Sequence, residues 1–419
     1  MSTITDTNTH GTDLSDCAKT KKTGIQQSCT LVKKARKLLD TQLAPFWSDM
    51  ADHDLGGYYG YMDHDLNLDK KADKGIILQS RILWFFSELA MLTKDMDRIS
   101  SADHAFRFLT GYGFDSEYGG VFWSVTCDGK PADTTKHTYA QAFALYALSS
   151  YYGLTGNELA LKLAEQLFEL IESRCRDDGG YLESFSREWE SSVNDKLSEN
   201  NVTAERTMNT LLHIFEGYAN LYRYHPAPPS AISEAMTRIL AAFSKKVYSP
   251  GKRRLEVFFD LGYQSLIDLQ SYGHDIEASW LLDDGCALLE GSEITAEISR
   301  MDSILAESVY KRAFTERSLL NECECGVNDT DRIWWVQSEA VLGFLNQWEK
   351  TGDQKYLAAA EDIFEYILTY INDPRPGGEW FWGVHANGQP MKECPAVSEW
   401  KCPYHSGRMC FEIIRRYGA

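Results

Sequence analysis

Short glycine-aromatic segments recur between long helical stretches, and that recurrence commits the chain to a repeat architecture. They read GGYYGYMD (56–63), GGVFWSVTCDGKP (119–131), GGYLESFS (179–186) and GGEWFWGVHANGQP (377–390). A Gly-Gly pair admits the positive φ of a tight turn and alternating aromatics suit a half-buried strand, so each segment predicts a β-hairpin. Apolar periodicity predicts helices near 28–51, 75–95, 100–112, 136–154, 157–172, 203–225, 230–247, 272–290, 294–314, 332–351, 354–372 and 403–417. These twelve helices make six pairs, and a pair with its hairpin repeats about every 60 to 75 residues, the period of an array that must stack to bury a core. One closed toroid is predicted, with the even-numbered helices lining the inside.

The pattern of charge agrees. Even-numbered stretches such as HTYAQAFALYALSSYY (137–152) and WWVQSEAVLGFLNQW (334–348) carry few charges, whereas AAAEDIFEYILTYI (358–371) shows the one-sided stripe of an outer helix. Residues 1–28 are polar, lack the apolar core of a secretory signal, and are read as a disordered extension before one catalytic domain at 29–419. No apolar run is expected to span a bilayer. The net charge of -19 and the lack of a basic stripe argue against nucleic acid and membrane partners. Ten cysteines without a CxxC pair read as reduced thiols of a cytoplasmic protein, and packing is the reading for the close Cys323-Glu324-Cys325 spacing.

Three inner helices carry a polar pattern: Asn209-xxx-His213-xx-Glu216, then His274-xx-Glu277, then Glu339. Residues three apart share a helix face, so each histidine is expected beside its glutamate, which would fix the tautomer and raise the imidazole pKa towards neutrality. That is the equipment of a general acid or base. Di-iron bundles use the reverse order, Glu-xx-His, with a fuller carboxylate set, so no metal is expected. His405 follows Pro403 at the start of the last helix. Arg81 lies on an apolar inner face, where it needs a buried glutamate or a sugar oxygen as partner. Trp335, Trp380, Trp382 and Trp400 are candidate stacking platforms, with Trp400 foremost because it sits five residues before His405 in a loop.

Taken together, KGIILQSRILWFFSEL, KHTYAQAFALYALSSYYGLTG, MNTLLHIFEGYANLYR, YGHDIEASWLL, DRIWWVQSEAVLGFLNQW, GGEWFWGV and KCPYHSGRMCFEIIRR resemble the N-acylglucosamine 2-epimerase superfamily, and within it the cellobiose 2-epimerases, over about residues 30–419. The resemblance implies an all-α (α/α)6 barrel of six inner and six outer helices with short β-hairpins in the loops. It implies His274 and His405 as the acid/base pair, Glu277 as the partner of His274, and Arg81, Asn209 and His213 as sugar contacts, with Trp400 stacking on a disaccharide. Tyr139, Glu216, Trp335 and Glu339 complete the expected substrate-binding set. Ala140 and Ser406 depart from the family pattern, Ser406 beside a proposed catalytic residue.

The chemistry this implies is ring opening, removal of the proton on C2 to give a cis-enediolate, and its return to the other face. No cofactor is expected; the partner is a small sugar, and the chain a monomer or weak homodimer. Rival readings are a mannose 2-epimerase, an aldose-ketose isomerase, a glycoside hydrolase, which would need two carboxylates flanking the bond, and a non-catalytic carbohydrate- or protein-binding member of the superfamily.

Overall fold

The computed structural model describes residues 30–197, 200–289 and 291–418; the extension assigned to residues 1–28 lies outside them. Among the described residues, six outer helices alternate with six inner ones. The outer set is α1 (30–38, running through a π-turn at Leu39–Leu43 into Ala44–Asp49), α3 (Met96–Phe108), α5 (Glu158–Leu170), α7 (Ser230–Ala242), α9 (Glu293–Ala313) and α11 (Gln354–Tyr366). The inner set is α2 (Ile76–Thr93), α4 (Thr138–Thr155), α6 (Met208–Tyr224), α8 (Tyr272–Cys286), α10 (Trp334–Thr351) and α12 (Tyr404–Tyr417). Each inner helix packs on the next, and α12 returns to α2, which closes the ring. The architecture is the (α/α)6 barrel.

Inner helices are enclosed by protein along most of their surface, so α2, α4 and α8 are buried nearly all round rather than striped. In α2 every residue from Ile76 to Ala90 is buried. By length and composition this helix could cross a membrane, against the expectation that no such run exists, yet its burial inside the ring marks it as a core helix of the barrel. The outer helices α5 and α11 show the expected stripe, burying Ala160, Leu161, Ala164 and Leu167, and Tyr356, Leu357, Ala360, Ile363 and Phe364.

Every outer helix is followed by a tight hairpin, and inner-helix side chains hold these hairpins from below. Gln79 of α2 accepts from the N–H of Tyr58 (2.9 Å) and donates to its carbonyl (2.7 Å). Gln141 treats Val121 in the same way, and Gln337 treats Leu319. Asp275 accepts from Leu255 N–H at 2.9 Å. In α12 this station falls to Ser406, whose hydroxyl donates to Glu379 (3.1 Å) under the last hairpin. The Ser406 departure therefore belongs to the scaffold, and neither it nor Ala140 reaches the cavity described below. A buried ion pair lies beneath two of the same hairpins, Lys74–Asp52 and Lys136–Asp115, and buried Arg206 meets the exposed Asp177 beneath a third. These clamps fix where each inner helix begins, and the helix starts set the register of the site.

Candidate active site

The inner helices present their first two turns to one cavity of about 250 Å³. Side chains stand at and behind its wall in two layers. Tyr139, Asn209, Trp335 and His405 are each the second residue of their helix, with His274 the third of α8; Arg81, His213, Glu277 and Glu339 are each the sixth. Of the sites expected from sequence, Arg81, Tyr139, Asn209, His213, His274, Glu277, Trp335, Trp400 and His405 line the cavity together. Glu216 and Glu339 do not line it. They stand behind His213 and His405, whose Nδ1 atoms they engage at 2.9 and 2.7 Å.

The expected pairing of His274 with Glu277 is not formed. Nδ1 of His274 instead meets the hydroxyl of Ser271 at 2.7 Å, and Glu277 accepts from Arg408. The cause is register. In α6 the His-xx-Glu pattern occupies residues six and nine of the helix, in α8 residues three and six, so the second copy is displaced by most of a turn. Glu277 thus shares the depth of His213, and the near-equal spacing of the three glutamates does not make them equivalent.

The expected rise in imidazole pKa is also reversed. Burial, with the positive neighbours Arg408 and Arg81, holds His405 well below its ordinary value. Burial and His213 bring His274 down to about 3. Burial lowers His213 too, against the pull of Glu216. All three are neutral imidazoles at physiological pH. Their Nδ1 atoms are engaged, which leaves each Nε2 for the cavity.

Arg81 donates to the Tyr139 hydroxyl at 2.8 Å, packs over Phe143 and Tyr404, and has no carboxylate partner among the described residues. Its Nε and the Oδ1 of Asn209 are buried without a partner there, two polar atoms free for a ligand. Trp335 lies between the imidazoles, its ring 4.7 Å from His274 and 5.5 Å from His405. Trp400 and Trp382 line the walls, while Trp380 is 1% exposed in the core and is no platform. Sequence reasoning missed Ser271, Asn321, Glu322 and Trp334 on the wall, and above all Arg408 behind it. Arg408 donates to Glu216 (2.6 Å), Glu339 (2.7 Å) and Glu277. Glu277, Glu339 and His405 bring possible metal-ligand atoms within 4.8 Å of one another. The guanidinium already bridges both carboxyl groups and supplies the positive charge that a cation would bring.

The family model described as N-acylglucosamine 2-epimerase matches residues 57–406. The chain belongs to the N-acylglucosamine 2-epimerase family. A relative from Eubacterium cellulosolvens named cellobiose 2-epimerase is 50% identical over 393 residues, covering 90% of this chain and 97% of the relative. Another of that name from Ruminococcus albus is 43% identical, covering 92% and 99%. The solved structure of cellobiose 2-epimerase from Bacillus thermoamylovorans superposes with a TM-score of 0.89 at 44% identity, covering 92% of this chain and 99% of that one. Membership in the N-acylglucosamine 2-epimerase family makes the chain an isomerase acting on sugars.

Proposed function

We propose that this epimerase inverts C2 of the reducing-end glucose of β-1,4-linked disaccharides, interconverting cellobiose and glucosylmannose. The identity to relatives named cellobiose 2-epimerase supports the substrate. The observation that carries the chemistry is a pair of neutral imidazoles, on α8 and α12, that keep Nε2 free beside one aromatic-walled cavity.

A C2 hydrogen becomes acidic only in the open aldehyde, where its removal leaves an enediolate conjugated through O1. One imidazole takes the proton on one face, and the other returns a proton on the opposite face, which inverts C2. A well-placed acid or base contributes about 10² to 10⁴ in rate. Arg81, held by Tyr139 and unpaired with any carboxylate among the described residues, faces the developing charge on oxygen, where a preorganised donor is most effective. The scheme uses side chains alone and calls for no cofactor. The proposal includes a cytoplasmic setting, supported by eight described cysteines that are free thiols.

Turnover of cellobiose in D₂O tests this reading. Early product should be the C2 epimer carrying deuterium at C2, and His274→Asn and His405→Asn should each abolish epimerisation. A ketose as the main product would assign aldose-ketose isomerisation, and an unlabelled epimer would remove the two-imidazole scheme.

A further inference from the structure

Three carboxyl groups and one guanidinium meet behind the cavity. Among the described residues, Glu216, Glu277 and Glu339 share Arg408 and pair with no other arginine or lysine. Ionising all three would leave negative charge in excess of Arg408 and out of contact with water, which favours a proton on the group with the fewest donors.

Hydrogen-bond donors show which. Glu216 receives Arg408 on Oε1, and His213 and the Tyr404 hydroxyl on Oε2. Glu339 receives Arg408 and His405 on Oε1 and the Trp280 indole N–H on Oε2. Glu277 receives Arg408 on Oε1, and its buried Oε2 has no partner among the described residues. Of six carboxyl oxygens this one alone lacks a donor, and Glu277 is the member of the trio that lines the cavity.

We propose that Glu277 rests as a carboxylic acid and gives its Oε2 proton to the ring oxygen when the bound pyranose opens. This rests on the sugar-epimerase reading above. Burial and the neighbouring Glu339 push its pKa up to about 8 despite Arg408. Glu216 is driven the other way: burial would raise it, but Arg408 and His213 bring it down to about 2.

The O1–H proton passes to Nε2 of a neutral imidazole, and the O1–H electron pair becomes the second C1–O1 bond. The C1–O5 bond breaks, its electrons go to O5, and O5 takes the proton from Glu277. One imidazolium and one glutamate result, the glutamate already bonded to Arg408. Opening the ring thereby creates the acid that inversion at C2 requires. The imidazolium returns a proton to one face after the other imidazole, still neutral, has taken the C2 hydrogen from the opposite face. Without this step two neutral imidazoles contain a base but no competent acid.

Infrared difference spectra of the full chain, with and without cellobiitol, whose reducing end is an unreactive open alditol, test the resting state. Wild-type protein should show a carboxylic-acid carbonyl band that shifts on binding, absent in Glu277→Gln and moved in Glu277→Asp. Glu183, Asp275 and Asp302, whose pKa values are also raised, lie outside this cavity and should stay silent. Kinetics test the step. In Glu277→Gln, cellobiose epimerisation should fall about 10² to 10⁴-fold, while deuterium exchange at C2 of glyceraldehyde, too short to form a pyranose, should fall less than ~10-fold. No ligand-sensitive acid band in an active wild-type enzyme, or equal losses with both substrates, would overturn the proposal. A wild-type protein inert towards cellobiose would instead overturn the functional reading itself.

Discussion

Trp400 lines the cavity half-buried, its ring 5.8 Å from Trp123 and 5.9 Å from Tyr139, so other aromatics back it and leave it positioned for a sugar face. Stacking of this kind contributes about 0.5 to 1.5 kcal/mol beyond buried area, and about 1.4 kcal/mol is tenfold. Trp400→Ala should therefore lower kcat/KM for cellobiose by about tenfold and for mannose by less than ~3-fold, since only the disaccharide has a second ring to lose it. Equal losses would place Trp400 against the reacting ring. At this scale the residue types were legible in sequence and their pairing was not. His-xx-Glu states which side chains share a helix face, but not how deep they stand, and depth depends on where each helix starts. Arg408 lay within reach of the reasoning applied to Arg81, because a cation three residues after His405 on a buried face needs a polar partner.

The hairpins show the same limit for elements. Four of six carry Gly-Gly and could be read directly. The other two pair Tyr248–Ser249 with Arg254–Leu255 and Phe314–Thr315 with Ser318–Leu319. There Arg253, Glu316 and Arg317 take the positive φ values of 56°, 49° and 61° that glycine takes elsewhere, at a cost of roughly 1 to 2 kcal/mol per residue that packing offsets. The second of these, FTERSL, holds no turn signal, while the first carries Pro250-Gly251, a turn signal without the Gly-Gly pattern of the others. The ion pairs under the hairpins were equally hidden, because a lysine before an inner helix reads as a surface charge until the hairpin covers it. Lys74, 0% exposed, donates to Asp52 (2.8 Å) and to the carbonyls of Gly56 and Cys127. Lys74→Met should cost about 3 to 5 kcal/mol by stranding a buried carboxylate. Adding Asp52→Asn should recover part of the loss. Denaturant midpoints measure both, and a Lys74→Met loss below ~1 kcal/mol, the worth of a surface pair, would show that the charge is solvated.

Because the barrel buries charge on its inside, the stability of the whole molecule follows pH in a definite way. Burial holds His137 at about 4 and His274 at about 3, and lowers His213 and His405. The unfolded chain binds more protons than the native one at these sites below about pH 6.5, so their contribution rises with pH and is complete there. Burial acts oppositely on carboxyls, raising Glu183 and Asp275 to about 7, Glu277 to about 8, and Asp302 well above its usual range. At those four sites the native state holds protons that the unfolded state releases above about pH 4, so stability falls as pH rises towards each native pKa. The two sets oppose each other until the histidines are finished, and beyond that only the carboxyls still titrate. Maximum stability is therefore expected between about pH 5 and 6, with a decline towards pH 8 of at most ~1.4 kcal/mol per pH unit for each group still protonated. The net charge of -19 adds self-repulsion on the same side. Salt separates the two causes, because it screens exposed charges but not buried ones. The decline should survive at about 0.5 M salt and be reduced by Asp302→Asn, which removes a carboxyl whose oxygens have no hydrogen-bond partner among the described residues. Asp302 lies on α9, outside the cavity, so turnover should not change. A midpoint of thermal unfolding that is flat from pH 6 to 8, or equally steep with Asn at 302, would show that these carboxyls are not the source.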